Sequence, residues 1–443
     1  MAGDKPKPTR ASWLSRAYEW QVREPCLELP FPAEEYEVRL AKTRALMTEK
    51  GLQALIVCGD PGHPGDVRWL ANWNPGIGNA FLFLPVEGDA SLVLHDEVPG
   101  YDLCATWVRS IRPPMRGPDS LQAVRDHLLD LLNSHGVAQY LGIVGEAGLP
   151  TVVYQGLLDD NPHLEIEDAT FLLTGLRAVK SSLEVAKIRE AVRQSDAGMV
   201  AALDSIRPGV PEKEVVAEVL RAMFTAGADG VAFMPIVVSG PRASWKHASP
   251  TSRPIQRGEP VYIDLGAAYQ GYCADISRTV PVNGKYSRSQ RSLYELVLDA
   301  QHAAIEEVKP GNHWNDPHEA AVKVLTKGMV SLGLLKGSVN KLIEKEAYKP
   351  FYMHRTGHWL GMDVHDVGDY KVADEWRLLE PGMTLTVEPG IYVAGGNDNV
   401  AKKWWNTGIR IEDDVLVTKE GCEVLTDGVP KQPDDIEALM ASG

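Results

Sequence analysis

The sequence predicts two domains, a smaller α/β domain followed by a larger α+β domain with antiparallel sheets. Three observations predict this. The 443 residues exceed what one ordinary hydrophobic core organises. Over roughly residues 31–172, short apolar runs are mixed with helical patterns, the signature of an α/β layer. Over about 176–435, helices alternate with short strands set off by Gly/Pro turns, the pattern of α+β architecture.

Taken in order, residues 1–30 read as an arm whose frayed start, with Lys5, Pro6, Lys7 and Pro8, leads to Trp13 and Trp20. The segment Pro-Ala-Glu-Glu-Tyr-Glu-Val-Arg-Leu opens an amphipathic helix that ends at Gly51, a residue suited to a left-handed cap. Strands are expected at 53–58, 80–84, 91–94 and 141–144, with a helix over 121–134. Beyond 169–175, Ser182 precedes a long helix with Leu183, Ile188, Val192, Met199 and Leu203 at near-helical spacing, stopped by Pro208 and Gly209. Further helices are expected over 212–226 and 289–308. No short-period repeat is present, which excludes a solenoid.

Composition narrows the function. Hydrophobic residues at 44% and charged residues at 24% are those of an ordered globular protein. A formal net charge of -15, with no long Lys/Arg run, argues against nucleic acid as a partner. Carboxylates gathered round bound cations would neutralise part of that charge. The cysteines Cys26, Cys58, Cys104, Cys273 and Cys422 are scattered without a CxxC spacing, so no disulfide framework is expected. The polar start and the lack of any run of eighteen apolar residues point to a cytoplasmic protein with no membrane partner.

Chemistry concentrates in four segments. In Val261-Tyr-Ile-Asp-Leu-Gly-Ala-Ala-Tyr-Gln-Gly-Tyr-Cys-Ala-Asp-Ile-Ser-Arg-Thr-Val280, two strands flank a turn near 269–271. Asp264 and Asp275 then fall about opposite each other on one face, where paired Cβ atoms sit roughly 5 Å apart. Like charges that close need a cation, or else they cap turns; Cys273, two residues before Asp275, points to a bulge. His354, His358 and His365 lie among glycines in 354–368, where one histidine can bind metal and others transfer protons. Glu388 closes an apolar strand before Pro389-Gly390, a good ligand position. Glu412 shares an alternating strand with Arg410, whose guanidinium is placed to orient ligand carboxylates. Two Asp, one His and two Glu suit manganese, cobalt, iron or zinc better than a thiolate-loving ion.

In this order the segments resemble the pita-bread metallopeptidases, the family of methionine aminopeptidase, aminopeptidase P and prolidase, and most closely its X-prolyl branch. The resemblance covers Leu176 to about Thr426, including Val179-Lys180-Ser181 through Ile188-Arg189, Pro281-Val-Asn-Gly-Lys-Tyr and His358-Trp-Leu-Gly-Met-Asp-Val-His-Asp-Val-Gly. It implies a curved antiparallel sheet and a creatinase-like N-terminal domain. It implies two divalent ions, with Asp264 on one, His358 and Glu388 on the other, and Asp275 and Glu412 bridging. It makes His247, His354 and His365 the histidines lining the substrate pocket. The segment Asp66 to Pro75 sits where relatives gate the substrate, and burial is expected for Trp69 and Trp73.

The implied reaction is hydrolysis of Xaa-Pro bonds in dipeptides or short peptides by a hydroxide bridging two metals, with manganese expected. Glu388 would shuttle the proton, His365 would meet the substrate carbonyl, and His247 and His354 the leaving-group side. The resemblance also implies a homodimer or homotetramer. Two other readings belong to the same scaffold: a metal-dependent hydrolase or lyase of a non-peptide small molecule, and a non-catalytic binding module.

Overall fold

Gly51 closes the first long helix, Ala33–Lys50, because its φ of 75° is a left-handed conformation that costs glycine little. The computed structural model describes residues 16–76, 78–95, 100–115 and 117–442, so Trp13 and the polar start lie outside the described residues. The chain divides into two compact units, Met1–Leu176 and Arg177–Gly443.

The first unit is built on a six-stranded mixed sheet. Its strands are β1 (Ala54–Gly59), β2 (Ala80–Pro85), β3 (Ser91–Leu94), β4 (Ser110–Arg112), β5 (Tyr140–Val144) and β6 (Glu165–Asp168), in the order β4-β3-β2-β1-β5-β6. β1 pairs antiparallel with β2 and parallel with β5. Both central strands are buried along their length, so they read as continuous apolar runs without alternation. Leu128, Leu131 and Leu132 of the helix Ser120–Ser134 pack on that sheet. Trp69 and Trp73 are buried, the first in the helix Gly65–Ala71, where Arg39 donates to its carbonyl at 2.8 Å.

The cysteine expectation needs correction: Cys26 and Cys104 form a disulfide. A separation of 78 residues leaves no local signal in the sequence. The arm is brought to its partner by buried Arg23, which donates to the carbonyls of Leu103, Thr106, Val108 and Arg109 at 2.8 to 3.2 Å. Cys58, Cys273 and Cys422 take no part in a disulfide.

Among its described residues the second unit carries the strands β7 (Gly230–Val231), β8 (Ile236–Ser239), β9 (Pro260–Leu265), β10 (Ala267–Tyr269), β11 (Tyr272–Cys273), β12 (Ile276–Pro281), β13 (Lys371–Val372), β14 (Glu375–Trp376), β15 (Thr384–Val387), β16 (Gly390–Val393), β17 (Thr407–Arg410), β18 (Asp413–Val417) and β19 (Cys422–Val424). All their pairings are antiparallel. They form the sheets β12-β9-β8, β15-β18-β19 and β16-β17; an isolated bridge ties Ser277 of β12 to Glu412, between β17 and β18, and another ties Trp359 to Leu385 of β15.

Helices cover these sheets. Ser181, one residue before the position the pattern suggested, caps the helix Ser182–Ser205 in a reciprocal capping box with Glu184. Ser287 and Gln290 do the same for the helix Arg288–Glu306. Met199, Leu203, Val219, Leu293 and Val297 from three helices meet Ile263, Val280 and Ile409 from the strands in one continuous core. Among the described residues, no helix is long and apolar enough to cross a membrane.

Candidate metal centre

Asp264 and Asp275 come together, but not as a directly opposed pair. β9 and β12 put Asp264 opposite Ser277, and β10 and β11 continue the same register across the turn. Asp275 lies two residues from Ser277, in the gap between β11 and β12, and so meets Asp264 diagonally on one face. The bulge expected at Cys273 is not formed, because the register is the same on both sides of the gap. The Cys273 amide leaves the hairpin and donates to the carbonyl of Gly361 at 2.8 Å.

Asp275, His358 and Glu412 each present one ligand atom, and these atoms lie within 4.8 Å of one another. His358 Nε2 is 3.5 Å from Asp275 Oδ2 and 4.0 Å from Glu388 Oε1. Glu388 follows β15, its amide held by the carbonyl of Thr356 at 2.7 Å. Arg410 donates to Asp264 through Nη2 and lies 3.6 Å from Glu388 through Nη1. Burial drives the carboxyl groups of Asp264, Asp275, Glu388 and Glu412 above their ordinary range, with mutual repulsion adding to it.

The protons on His358 make the fit to cations specific. Its Nδ1 lies 3.0 Å from the carbonyl of Trp359, which can only accept, so Nδ1 carries the hydrogen. Burial lowers its pKa to about 4, so the ring is neutral and Nε2 aims a lone pair at carboxylate oxygens. Lone pair against carboxylate is repulsive, and a divalent cation between them reverses the sign. The same backbone contact is what usually fixes a metal-binding histidine. Asp264 Oδ1 and Asp275 Oδ1 are also buried without a hydrogen-bond partner. The residues present therefore fit divalent metal.

The three accessory histidines differ. The His365 ring lies edge-on to His358 with centroids 4.4 Å apart, and burial lowers its pKa. His354 is engaged at both nitrogens, Nδ1 by the carbonyl of Arg355 at 2.7 Å and Nε2 by the hydroxyl of Tyr392 at 3.0 Å. His247 is exposed, in the loop beyond the short turn Gly240–Ser244.

Sequence reasoning missed several supporting groups. The Tyr262 hydroxyl donates to Asp264 at 2.8 Å, and the Ser277 hydroxyl donates to Glu412 at 2.6 Å while accepting from Arg410 Nε. Both stand two residues from a candidate ligand on the same strand face, a signal that was legible. Asp414, also two residues from a candidate ligand, accepts from the Asp275 amide at 3.0 Å, and Arg278 donates to the carbonyl of Glu412 at 2.7 Å, a contact between distant segments.

Residues 186–419 match the model of Metallopeptidase family M24. The chain belongs to metallopeptidase family M24. An Xaa-Pro aminopeptidase of Haemophilus influenzae is 43% identical over 276 residues, 62% of this chain and 64% of that protein. The chain thus matches somewhat less than two thirds of that curated relative's length. The structure of the Pseudomonas aeruginosa aminopeptidase PepP is 36% identical and superposes with a TM-score of 0.80 over 93% of this chain and 98% of that one. A zinc-substituted aminopeptidase P of Escherichia coli in complex with product is 28% identical, with a TM-score of 0.80 over 93% and 99%. Within M24 these likenesses place the chain in the aminopeptidase P branch, with the pita-bread fold. Membership of M24 implies divalent metal ions.

Proposed function

We propose that this chain hydrolyses the Xaa-Pro bond of dipeptides or short peptides at a two-metal site held by Asp264, Asp275, His358, Glu388 and Glu412, with manganese as the working ion. The observation that carries the reading is His358, whose bare Nε2 faces Asp275 at 3.5 Å and Glu388 at 4.0 Å. Relatives named Xaa-Pro aminopeptidase support the choice of bond. The chain acts in the cytoplasm as a homodimer or homotetramer on small substrates, with neither nucleic acid nor membrane as a partner; light scattering and cell fractionation test those points.

Divalent ions held there supply Lewis acidity that lowers the pKa of water and polarises a carbonyl. The residues do the rest. Glu388 lies 3.7 Å from His354 Nδ1 and is buried, so it holds a proton readily and can pass it to the leaving amine. Arg410 fixes the direction of the Asp264 carboxylate. His365 hydrogen-bonds the substrate carbonyl, and exposed His247 takes the leaving-group side. His354, with both nitrogens engaged, acts by holding the Tyr392 hydroxyl beside Glu388.

The test is hydrolysis of Xaa-Pro dipeptides, Xaa-Pro-Yaa tripeptides and non-peptide amides by metal-stripped protein, with and without manganese. Manganese-dependent Xaa-Pro cleavage is expected. Protein that takes up metal and leaves every peptide intact would favour the non-peptide hydrolase or lyase, and protein that binds no metal would favour a binding module.

A further inference from the structure

Asp366 follows His365 directly in a segment that has no helix or strand of its own to fix it. Its carboxylate is buried between two cations. Arg177 Nη2 donates to Oδ1 at 2.6 Å, and Lys180 Nζ lies 3.0 Å from Oδ2, all three side chains being no more than 2% exposed. Arg177 also reaches Asp363 Oδ2 at 2.8 Å, so two carboxylates balance two cations. The pairing holds Asp366 ionised against its burial.

The knot is continuous with the turn that presents the histidines. The Asp366 amide donates to the carbonyl of Trp359 at 3.0 Å, closing a loop that has His358 just before it and His365 just inside it. A Cβ at Gly361 would collide with Asp366 Oδ2 and Lys180 Cε, so the backbone lies directly on the ion cluster. The carbonyl of that same Gly361 accepts from Cys273, two residues before Asp275. Displacing Asp366 therefore acts directly on the backbone that carries His365.

We infer that Arg177, Lys180 and Asp366 are positioning residues for His365, setting the ring against His358 for the reaction without touching substrate. This rests on the role assigned to His365 in the proposed peptidase. A merely structural salt bridge would change stability; this one sets the orientation of a ring.

The experiment uses the whole chain, manganese-loaded for kinetics and zinc-loaded for metal content and spectroscopy, comparing Arg177→Met with Arg177→Lys. Three quantities are read: kcat and KM for an Xaa-Pro peptide, zinc content, and the ring resonances of 13C-labelled histidine, with His365 assigned by its loss in His365→Asn. The Met variant is expected to lose about tenfold or more in kcat, with KM and zinc content within about twofold and the His365 resonance shifted. The Lys variant should restore most of the turnover. If the Met variant fails to fold, Asp363→Asn removes one partner of Arg177 at a side chain 28% exposed and should give the same changes, smaller. Unchanged kcat in a folded variant, or lost kcat with the His365 resonance unmoved, overturns the inference. Wild type that cleaves no peptide defeats the functional reading alone, and the resonance still decides the positioning.

Discussion

Nε2 of His354 lies 3.0 Å from the Tyr392 hydroxyl, and it is the hydroxyl that donates. Nδ1 must carry the ring hydrogen because it faces the carbonyl of Arg355 at 2.7 Å, and burial lowers the pKa of His354 to about 4, leaving Nε2 bare at neutral pH. Tyr392→Phe deletes the donor and keeps the ring. The expected result is a fall in kcat of about five- to tenfold, the size of one lost hydrogen bond of roughly 1 kcal/mol, with bound metal unchanged. Steady-state kinetics with metal analysis check this; unaltered turnover would remove Tyr392 from the mechanism.

Arg410 uses three nitrogens in three directions, to Asp264, Glu388 and Ser277. Lysine keeps the charge but cannot reproduce a planar fork. Arg410→Lys should therefore lose about 10- to 100-fold in activity or metal affinity. Titration of the stripped variant with manganese separates the two, and wild-type values in both would show that charge alone suffices.

Removing metal should destabilise the second unit, since Asp264, Asp275 and Glu412 are buried at 5% exposure or less and repel one another. Metal at 100-fold above its Kd adds about 2.7 kcal/mol to folding by linkage. Calorimetry with a chelator, then with restored manganese, should show the transition fall and recover. A transition indifferent to both would mean that the carboxylates do not share a cation.

Asp196 gives a pH dependence away from the metal centre. Burial raises its pKa to about 6 against an ordinary value of 3.8, and its Oδ1 has no hydrogen-bond partner. The folded state then binds more protons than the unfolded state between those values, so this group costs stability as pH rises from about 4 to 6. Asp196→Asn removes the cost. The variant should melt on the order of 2 °C higher than wild type at pH 7, with the difference vanishing near pH 4. A gain independent of pH would assign the effect to hydrogen bonding.

Much of the site was legible because its residues announce themselves locally. Three histidines among glycines, and Glu388 at a strand end before Pro389-Gly390, need only short-range pattern to stand out. The register of Asp264 and Asp275 was two residues off because the turn is centred between Gln270 and Gly271, so one unbroken register pairs Tyr269 with Tyr272 and Asp264 with Ser277. The Cys26–Cys104 disulfide escaped because cysteines 78 residues apart are joined only by Arg23 bringing the arm across. Arg278 and Asp414 stand close in sequence to candidate ligands, but their contacts, Arg278 to the carbonyl of Glu412 and Asp414 to the Asp275 amide, join segments that are neighbours in space alone.

By itself the sequence determined which groups could bind metal, because donor chemistry belongs to side-chain type, and which segments were helix or strand, because periodicity is local. The tertiary structure decided which oxygen faces which nitrogen. The proton on His358 is placed by the carbonyl of Trp359, that on His354 by Arg355, and the ionised state of Asp366 by Arg177 and Lys180. Each depends on burial and on partners brought in by folding, since a hydrogen bond or a charge pair in a dry interior is set by what surrounds it.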